Sequence, residues 1–170
     1  MPEAMDRFWD MFVVDFLIGN NDRNNTNWGL INDREEIKRL SPVFDNGNAF
    51  YAKRSDETLS KRMEGEESLR TDAFSVFTNA YLDDEGHHIH PHRVMREHSF
   101  KALDEALVRL YPRIDLGRIE SVIDEVPANF LGLEVLSDVR RSFYQKMVAI
   151  KIKEVLEPAY QEALVGSLHT

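Results

Sequence analysis

The segment Asn20-Asn21-Asp22-Arg23-Asn24-Asn25-Thr26-Asn27 is an unbroken run of polar side chains, most of them oxygen donors, between Gly19 and Gly29. Within it Asp22 is followed five positions later by Asn27. A second carboxylate, Asp45, stands 18 positions beyond Asn27, after Val43-Phe44 and before Asn46-Gly47. Carboxylate and amide oxygens are hard donors of the kind that hold Mg²⁺. Phosphoryl transfer needs such a ligand cluster together with a carboxylate that orients the acceptor hydroxyl, because its catalysis is mostly positioning and charge neutralisation. The sequence offers both. An Asp with an Asn five positions on is common by chance, so the specificity lies in the order and spacing of the two fragments together.

Two separate loops form one site only if regular elements bring them together. Phe8, Trp9, Phe12, Val13, Phe16 and Leu17 recur at helical spacing, which predicts a helix from Met5 to Ile18 that stops at Gly19. The Asn- and Asp-rich run after it has loop chemistry. Trp28 to Ile31 and Glu36 to Leu40 flank the turn-like Asn32-Asp33-Arg34, predicting a short hairpin that returns Ser41 to Gly47 towards the first loop. Beyond residue 55 the pattern predicts helices over Glu57–Met63, Leu69–Tyr81, Phe100–Leu110, Leu116–Val126 and Ser137–Leu156. In the last of these, Val139, Phe143, Met147, Ile150 and Val155 share a face suited to core packing. Gly86 to Arg96 reads as an exposed loop and Glu64 to Glu67 as a solvated turn. The expected fold is α+β, mainly α, in one domain over residues 1–170 with a short hairpin at the site.

Gly19-Asn20-Asn21-Asp22-Arg23-Asn24-Asn25-Thr26-Asn27-Trp28-Gly29 and Leu40-Ser41-Pro42-Val43-Phe44-Asp45-Asn46-Gly47 resemble the matching segments of the HipA-like kinases, a group that includes the CtkA type. The resemblance implies a serine/threonine protein kinase acting on a protein substrate. Asp22 would be the catalytic aspartate facing the acceptor hydroxyl, and Asn27 and Asp45 would bind the Mg²⁺ of Mg-ATP. It also implies that residues 56 to 170 form the helical large lobe, and that an antitoxin is a conceivable partner, several members being toxins of toxin–antitoxin pairs. The chain departs from the group at Asn24, where many members carry His. It also contains no Gly-rich phosphate loop and no Gly-Lys-Ser/Thr signature. The expectation is therefore a C-terminal lobe without its N-terminal ATP-binding lobe, as a fragment, a truncated gene or one part of a split protein. The alternative is a catalytically silent kinase-like lobe that acts as a protein-binding module.

Composition narrows the remaining classes. A formal charge of −9 disfavours unspecific attraction to nucleic acid or anionic membrane. Without cysteine there are no disulfides, zinc-thiolate sites or thiol nucleophiles. No apolar run reaches the roughly 18 residues of a spanning helix, and charges interrupt residues 1–20, so a cytoplasmic location is expected. Asp22, Asn24 and Thr26 alternate like the first ligands of a calcium loop, but Asn27 occupies the position that requires Gly and Asp33 replaces the closing Glu. His87, His88, His90, His92 and His98 match no strong metal template and read as a loop with incidental metal affinity. Arg23 is read equally as a phosphate contact or a structural group. Asn20, Asn21 and Asn46 are read as loop-shaping, and Trp28 and Phe44 as core anchors.

Overall fold

The computed structural model describes residues 2–24, 26–33, 36–75 and 80–167. The chain runs α1 (Pro2–Ile18), β1 (Leu30–Asp33), β2 (Glu36–Leu40), α2 (Asp56–Met63), α3 (Glu66–Ala73), α4 (Pro91–Arg96), α5 (Lys101–Leu110), α6 (Leu116–Glu125), β3 (Asn129–Phe130), β4 (Leu133–Glu134), α7 (Asp138–Lys151) and α8 (Glu157–Ser167). Short 3₁₀ turns lie at Ala49–Tyr51 and Tyr111–Arg113, and a π-helical segment, Ile152–Leu156, joins α7 to α8. The fold is mainly helical with a short antiparallel hairpin, β1–β2, as expected, and a second hairpin, β3–β4, that was not. Among the described residues no helix is long and apolar enough to cross a membrane.

The apolar stripe of α1 buries Trp9, Phe12, Val13, Phe16 and Leu17. They pack against Met95 of α4, Leu103, Ala106 and Leu107 of α5, and Ile152, Val155, Leu156 and Ala159 at the π segment and α8. A second cluster joins Leu59 of α2 and Leu69 and Ala73 of α3 to Phe143 and Met147 of α7, while Val148 of the same helix faces the first cluster. α7 is thus a wall common to both cores. Its start is capped by Ser137, whose hydroxyl accepts from the Arg140 N–H, and Ser55 and Asp115 cap α2 and α6 in the same way.

The first hairpin sets the layout of the site. Leu30 pairs with Leu40, and the Ser41 N–H donates to the Gly29 carbonyl at 2.7 Å, so the loops before β1 and after β2 leave the sheet side by side.

Several boundaries differ from the sequence reading. The helix predicted over Leu69–Tyr81 starts at Glu66, taking in the supposed solvated turn, and ends at Ala73; Tyr81 lies outside any helix, and residues 76–79 are outside the described ones. The acidic Glu66 and Glu67 suit a first turn, where negative charge meets the positive end of the helix dipole. Within the supposed loop Gly86–Arg96, Pro91 opens α4, since its fixed φ and missing N–H cost nothing at a first helical position. The final helix continues past Leu156 to Ser167. It widens into the π segment just before Pro158, whose nitrogen has no hydrogen for the carbonyl four residues back. The β3–β4 hairpin escaped notice because two-residue strands leave no periodicity; its turn places Leu131 at φ 51° and Gly132 at φ 80°.

One polar clasp closes the far side of the lobe. His98, itself at φ 49°, approaches Asp104 of α5 through Nδ1 at 2.8 Å and Glu162 of α8 through Nε2 at 3.0 Å. Only the imidazolium can donate to both. Burial alone would lower its pKa, but the two carboxylates outweigh it and hold the group above its ordinary value. The clasp's stabilisation is then complete below about pH 6.5 and is lost as pH rises through the raised folded value. His98→Gln should therefore lower the melting temperature more at pH 6 than at pH 8.5. An equal loss at both would show that the clasp is not charged.

Candidate active site

Helix α1 ends in a Schellman turn. The Asn20 N–H donates to the Asp15 carbonyl at 2.9 Å and the Gly19 N–H to the Phe16 carbonyl at 3.2 Å, with Gly19 at φ 65°. A Cβ on Gly19 would also come within 3.1 Å of Lys151 Nζ and 3.4 Å of the Tyr51 ring. Lys151, fully buried on α7, donates to the Phe16 carbonyl at 2.8 Å and so places a cation at the negative end of α1. Burial pushes its ammonium down to about 7, against the pull of Asp72. Through Lys151 the wall helix fixes the point where α1 gives way to the polar loop.

Asp15, which the α1 periodicity places among the interrupting charges, is wholly buried. Its carboxylate accepts from Arg23 Nε at 2.9 Å and Nη2 at 2.9 Å, from Tyr81 Oη at 2.8 Å and from Asn20 Nδ2 at 3.1 Å. Tyr81 consequently stays a phenol, its pKa raised by burial, by the Asp15 charge and by the hydrogen bond. Arg23 is also buried, and the Asp15 hydrogen bond raises its pKa against the cost of that burial. Its remaining donors reach the Asn27 carbonyl at 3.0 Å, the Phe44 carbonyl at 2.5 Å and Asn46 Oδ1 at 2.6 Å. One planar guanidinium thus ties α1, the first loop and the second loop together. Of the two readings of Arg23, the structure selects the structural one.

These bonds bring Asn27 and Asp45 to the same centre. The Asn27 carbonyl shares Arg23 Nη1 with the carbonyl of Phe44, and Asp45 is bracketed by Phe44 and Asn46, both held by Arg23. Asn27 is buried, and its Nδ2 donates to the Asp22 carbonyl at 2.5 Å, while its Oδ1 accepts from Thr26 Oγ1 at 3.1 Å and keeps a second lone pair. Asp45 sits at φ 58°, a left-handed conformation that costs a non-glycine residue on the order of 1 kcal/mol. Its exposed carboxylate accepts no hydrogen bond from any described residue. Asp22, half-buried, is oriented on both oxygens: Asn48 Nδ2 donates to Oδ2 at 2.5 Å and Asn24 Nδ2 to Oδ1 at 3.2 Å. The Asp22 carboxylate is thus fixed, while the Asn27 amide oxygen and the Asp45 carboxylate keep acceptor capacity and are oxygen donors of the kind that suits Mg²⁺.

The other candidates resolve locally. Asn20 and Asn46 shape the loops by the bonds above. Asn24 Oδ1 accepts from both the N–H and the hydroxyl of Thr26, at 2.9 and 2.6 Å, so these side chains satisfy each other instead of converging as calcium ligands. Among the described residues no three His, Asp or Glu side chains meet in a metal-holding group; His98 belongs to the clasp and the His90 and His92 rings pack edge to face. Phe44 is not a core anchor: its side chain is 46% exposed and its carbonyl is the part that is held. Trp28 is half-buried against Phe8. Sequence reasoning missed Asp15, Asn48, Tyr81 and Lys151. Of these only Asp15 left a signal, a lone carboxylate one helical turn before Gly19 on the stripe of Phe12 and Phe16.

No protein-family model matches the chain. Over 162 residues it is 30% identical to the serine/threonine-protein kinase CtkA of Helicobacter pylori (strain J99), a stretch covering 95% of this chain and 48% of that protein. The crystal structure of the proinflammatory kinase CtkA of H. pylori matches the fold with a TM-score of 0.84 at 29% identity, over 96% of this chain and 57% of that one. The chain thus spans about half the length of the curated relative it matches.

Breaking one side of a buried, hydrogen-bonded pair leaves an uncompensated charge, at a cost of about 3–5 kcal/mol. Arg23→Lys should lose most of that, since a single ammonium cannot replace the guanidinium fork across three segments. Urea unfolding reads the loss directly. A variant within about 1 kcal/mol of the parent would remove the fork from its central place.

Proposed function

Because the chain is CtkA-like in sequence and in fold, we propose that it supplies the metal-binding and acceptor-facing part of an ATP-dependent serine/threonine kinase site. The observation that supports this reading is the Arg23 guanidinium, which bonds the Asn27 carbonyl, the Phe44 carbonyl and Asn46 Oδ1 and so ties the loop carrying Asp22 and Asn27 to the loop carrying Asp45. Mg²⁺, when bound, neutralises charge on the ATP phosphates, and Asn27 Oδ1 and the Asp45 carboxylate are the groups that would hold it. Asp22 would accept a hydrogen bond from the substrate Ser or Thr hydroxyl and take its proton as the oxygen bonds to the γ-phosphorus and the bond to the β–γ bridging oxygen breaks, releasing ADP. Asn48 and Asn24 keep that carboxylate from turning away.

The phosphate-covering loop and ATP-binding lysine of a kinase have no counterpart motif in this sequence. On this reading they come from a further segment or a second protein, in keeping with the share of the relative that the chain spans. An antitoxin partner rests on the HipA-like resemblance alone. The silent-module alternative has less support: the exposed Asp45 carboxylate accepts no hydrogen bond from any described residue and so stays available to a ligand.

Titration of the chain with a fluorescent ATP analogue, with and without Mg²⁺, tests the proposal. Asp45→Ala should abolish the Mg²⁺-dependent component while leaving the melting temperature within a few degrees. Unchanged binding would remove Asp45 from the site. In a form extended to include the ATP-binding elements, Asp22→Asn should keep nucleotide binding and lower phosphotransfer by roughly 10²–10⁴-fold.

A further inference from the structure

Next to the catalytic carboxylate lies a cavity of about 80 Å³ lined by Asn21, Asn48, Tyr51, Lys53, Arg54 and others. It is joined to the proposed chemistry by a single side chain, because the Asn48 amide that borders it is the one donating to Asp22 Oδ2 at 2.5 Å. A residue flanking the acceptor Ser or Thr in an extended peptide lies only about 3.3–3.6 Å further along per position. The cavity is therefore within reach of the side chains beside the acceptor.

Its charge is opposite to that of the protein as a whole. Lys53 is exposed and makes no ion pair with a described residue. Arg54 stacks over the Tyr51 ring at 4.8 Å and is held on its far side by Asp72 at 2.5 Å. Lys151 Nζ lies 5.6 Å from the same ring, beneath the cavity floor. Asp72 pairs with Arg54 and Asp22 accepts from Asn48, but neither carboxylate is among the residues that line the cavity. In a chain of net charge −9, a cavity whose lining carries a lysine and an arginine and no acid is a specific feature. The fold also shapes it deliberately, since Phe50 and Tyr51 both adopt positive φ, 55° and 56°, to carry the chain from Asn48 round to Arg54.

We propose that this cavity is a specificity subsite which takes an anionic side chain, a carboxylate or a phosphomonoester, one or two residues from the acceptor hydroxyl of the substrate. Lys53 supplies the unpaired charge, Arg54 the second cation, and Asn48 couples occupancy of the subsite to the orientation of Asp22. The subsite rests on the kinase reading for the meaning of its position, but its preference for an anion does not.

The probes are three synthetic peptides with one central Ser, flanked on both sides by Glu, by phosphoserine or by Lys. Binding is followed by amide chemical shifts of the intact chain and of Lys53→Glu, an exposed substitution that leaves the fold in place. The chain should bind the Glu and phosphoserine peptides roughly five-fold or more tighter than the Lys peptide, with shifts at Asn48, Tyr51 and Lys53, and Lys53→Glu should reverse the order. The ratio of the two anionic peptides tells carboxylate from phosphate. No binding, equal binding of anionic and cationic peptides, or an order unchanged in Lys53→Glu each overturns the subsite. Mg²⁺-dependent nucleotide binding by the form extended to include the ATP-binding elements reports on the kinase reading separately: its absence beside an intact charge preference would overturn that reading and keep the subsite.

Discussion

The pairing of Asp15 with Arg23 is the constraint on which the site depends. Both groups are removed from water, so each is tolerable only with its full complement of partners. Asp15 has four donors, and Arg23 distributes its fork over a carboxylate, two backbone carbonyls and a side-chain amide. Any displacement of the first loop from the second would strand a buried charge. That penalty holds the first loop, which carries Asp22 and Asn27, against the second, which carries Asp45. A lysine in place of Arg23 would satisfy the charge but not the geometry, because the geometry needs several donors in one plane.

With the scaffold held in this way, the cost of the functional conformations can be carried locally. Asp45, Phe50 and Tyr51 all lie at positive φ within one short stretch, a conformation that Asp tolerates better than the two bulky aromatic residues. The strain presents the Asp45 carboxylate outward and curves the chain so that Asn48 points back at Asp22. Neighbouring order is what maintains it: Tyr51 packs its ring edge to face on Phe143 of α7, and Ser55 then caps α2.

The helices do their part mainly as walls. α7 borders both apolar clusters and sends Lys151 to the last turn of α1, so packing far from the loops decides where the first loop begins. Arg109 of α5 bonds Asp10 of α1 at 2.6 Å, and His98 ties α5 to α8, so the register of the helices is set by polar contacts at the rim as well as by the apolar interior. CtkA-like sequence similarity and fold extend over this whole arrangement, not only over the loop motifs.

What the sequence determined by itself was local and periodic. The α1 stripe, the Asn-rich loop, the β1–β2 hairpin and the spacing of Asp22, Asn27 and Asp45 were legible because helical period, turn chemistry and ligand spacing are written in neighbouring residues. Boundaries failed where one residue's backbone chemistry outweighed periodicity, as with Pro91 opening a helix and Pro158 following a π segment. The tertiary structure alone decided that Asp15 is buried, that Arg23 is a strut and not a phosphate contact, and that Asn48 and Lys151 serve the site. Each of those roles is a contact between segments 8 to 135 positions apart. Burial and partner identity at such separations are set by how the helices pack, and no spacing within one segment encodes them.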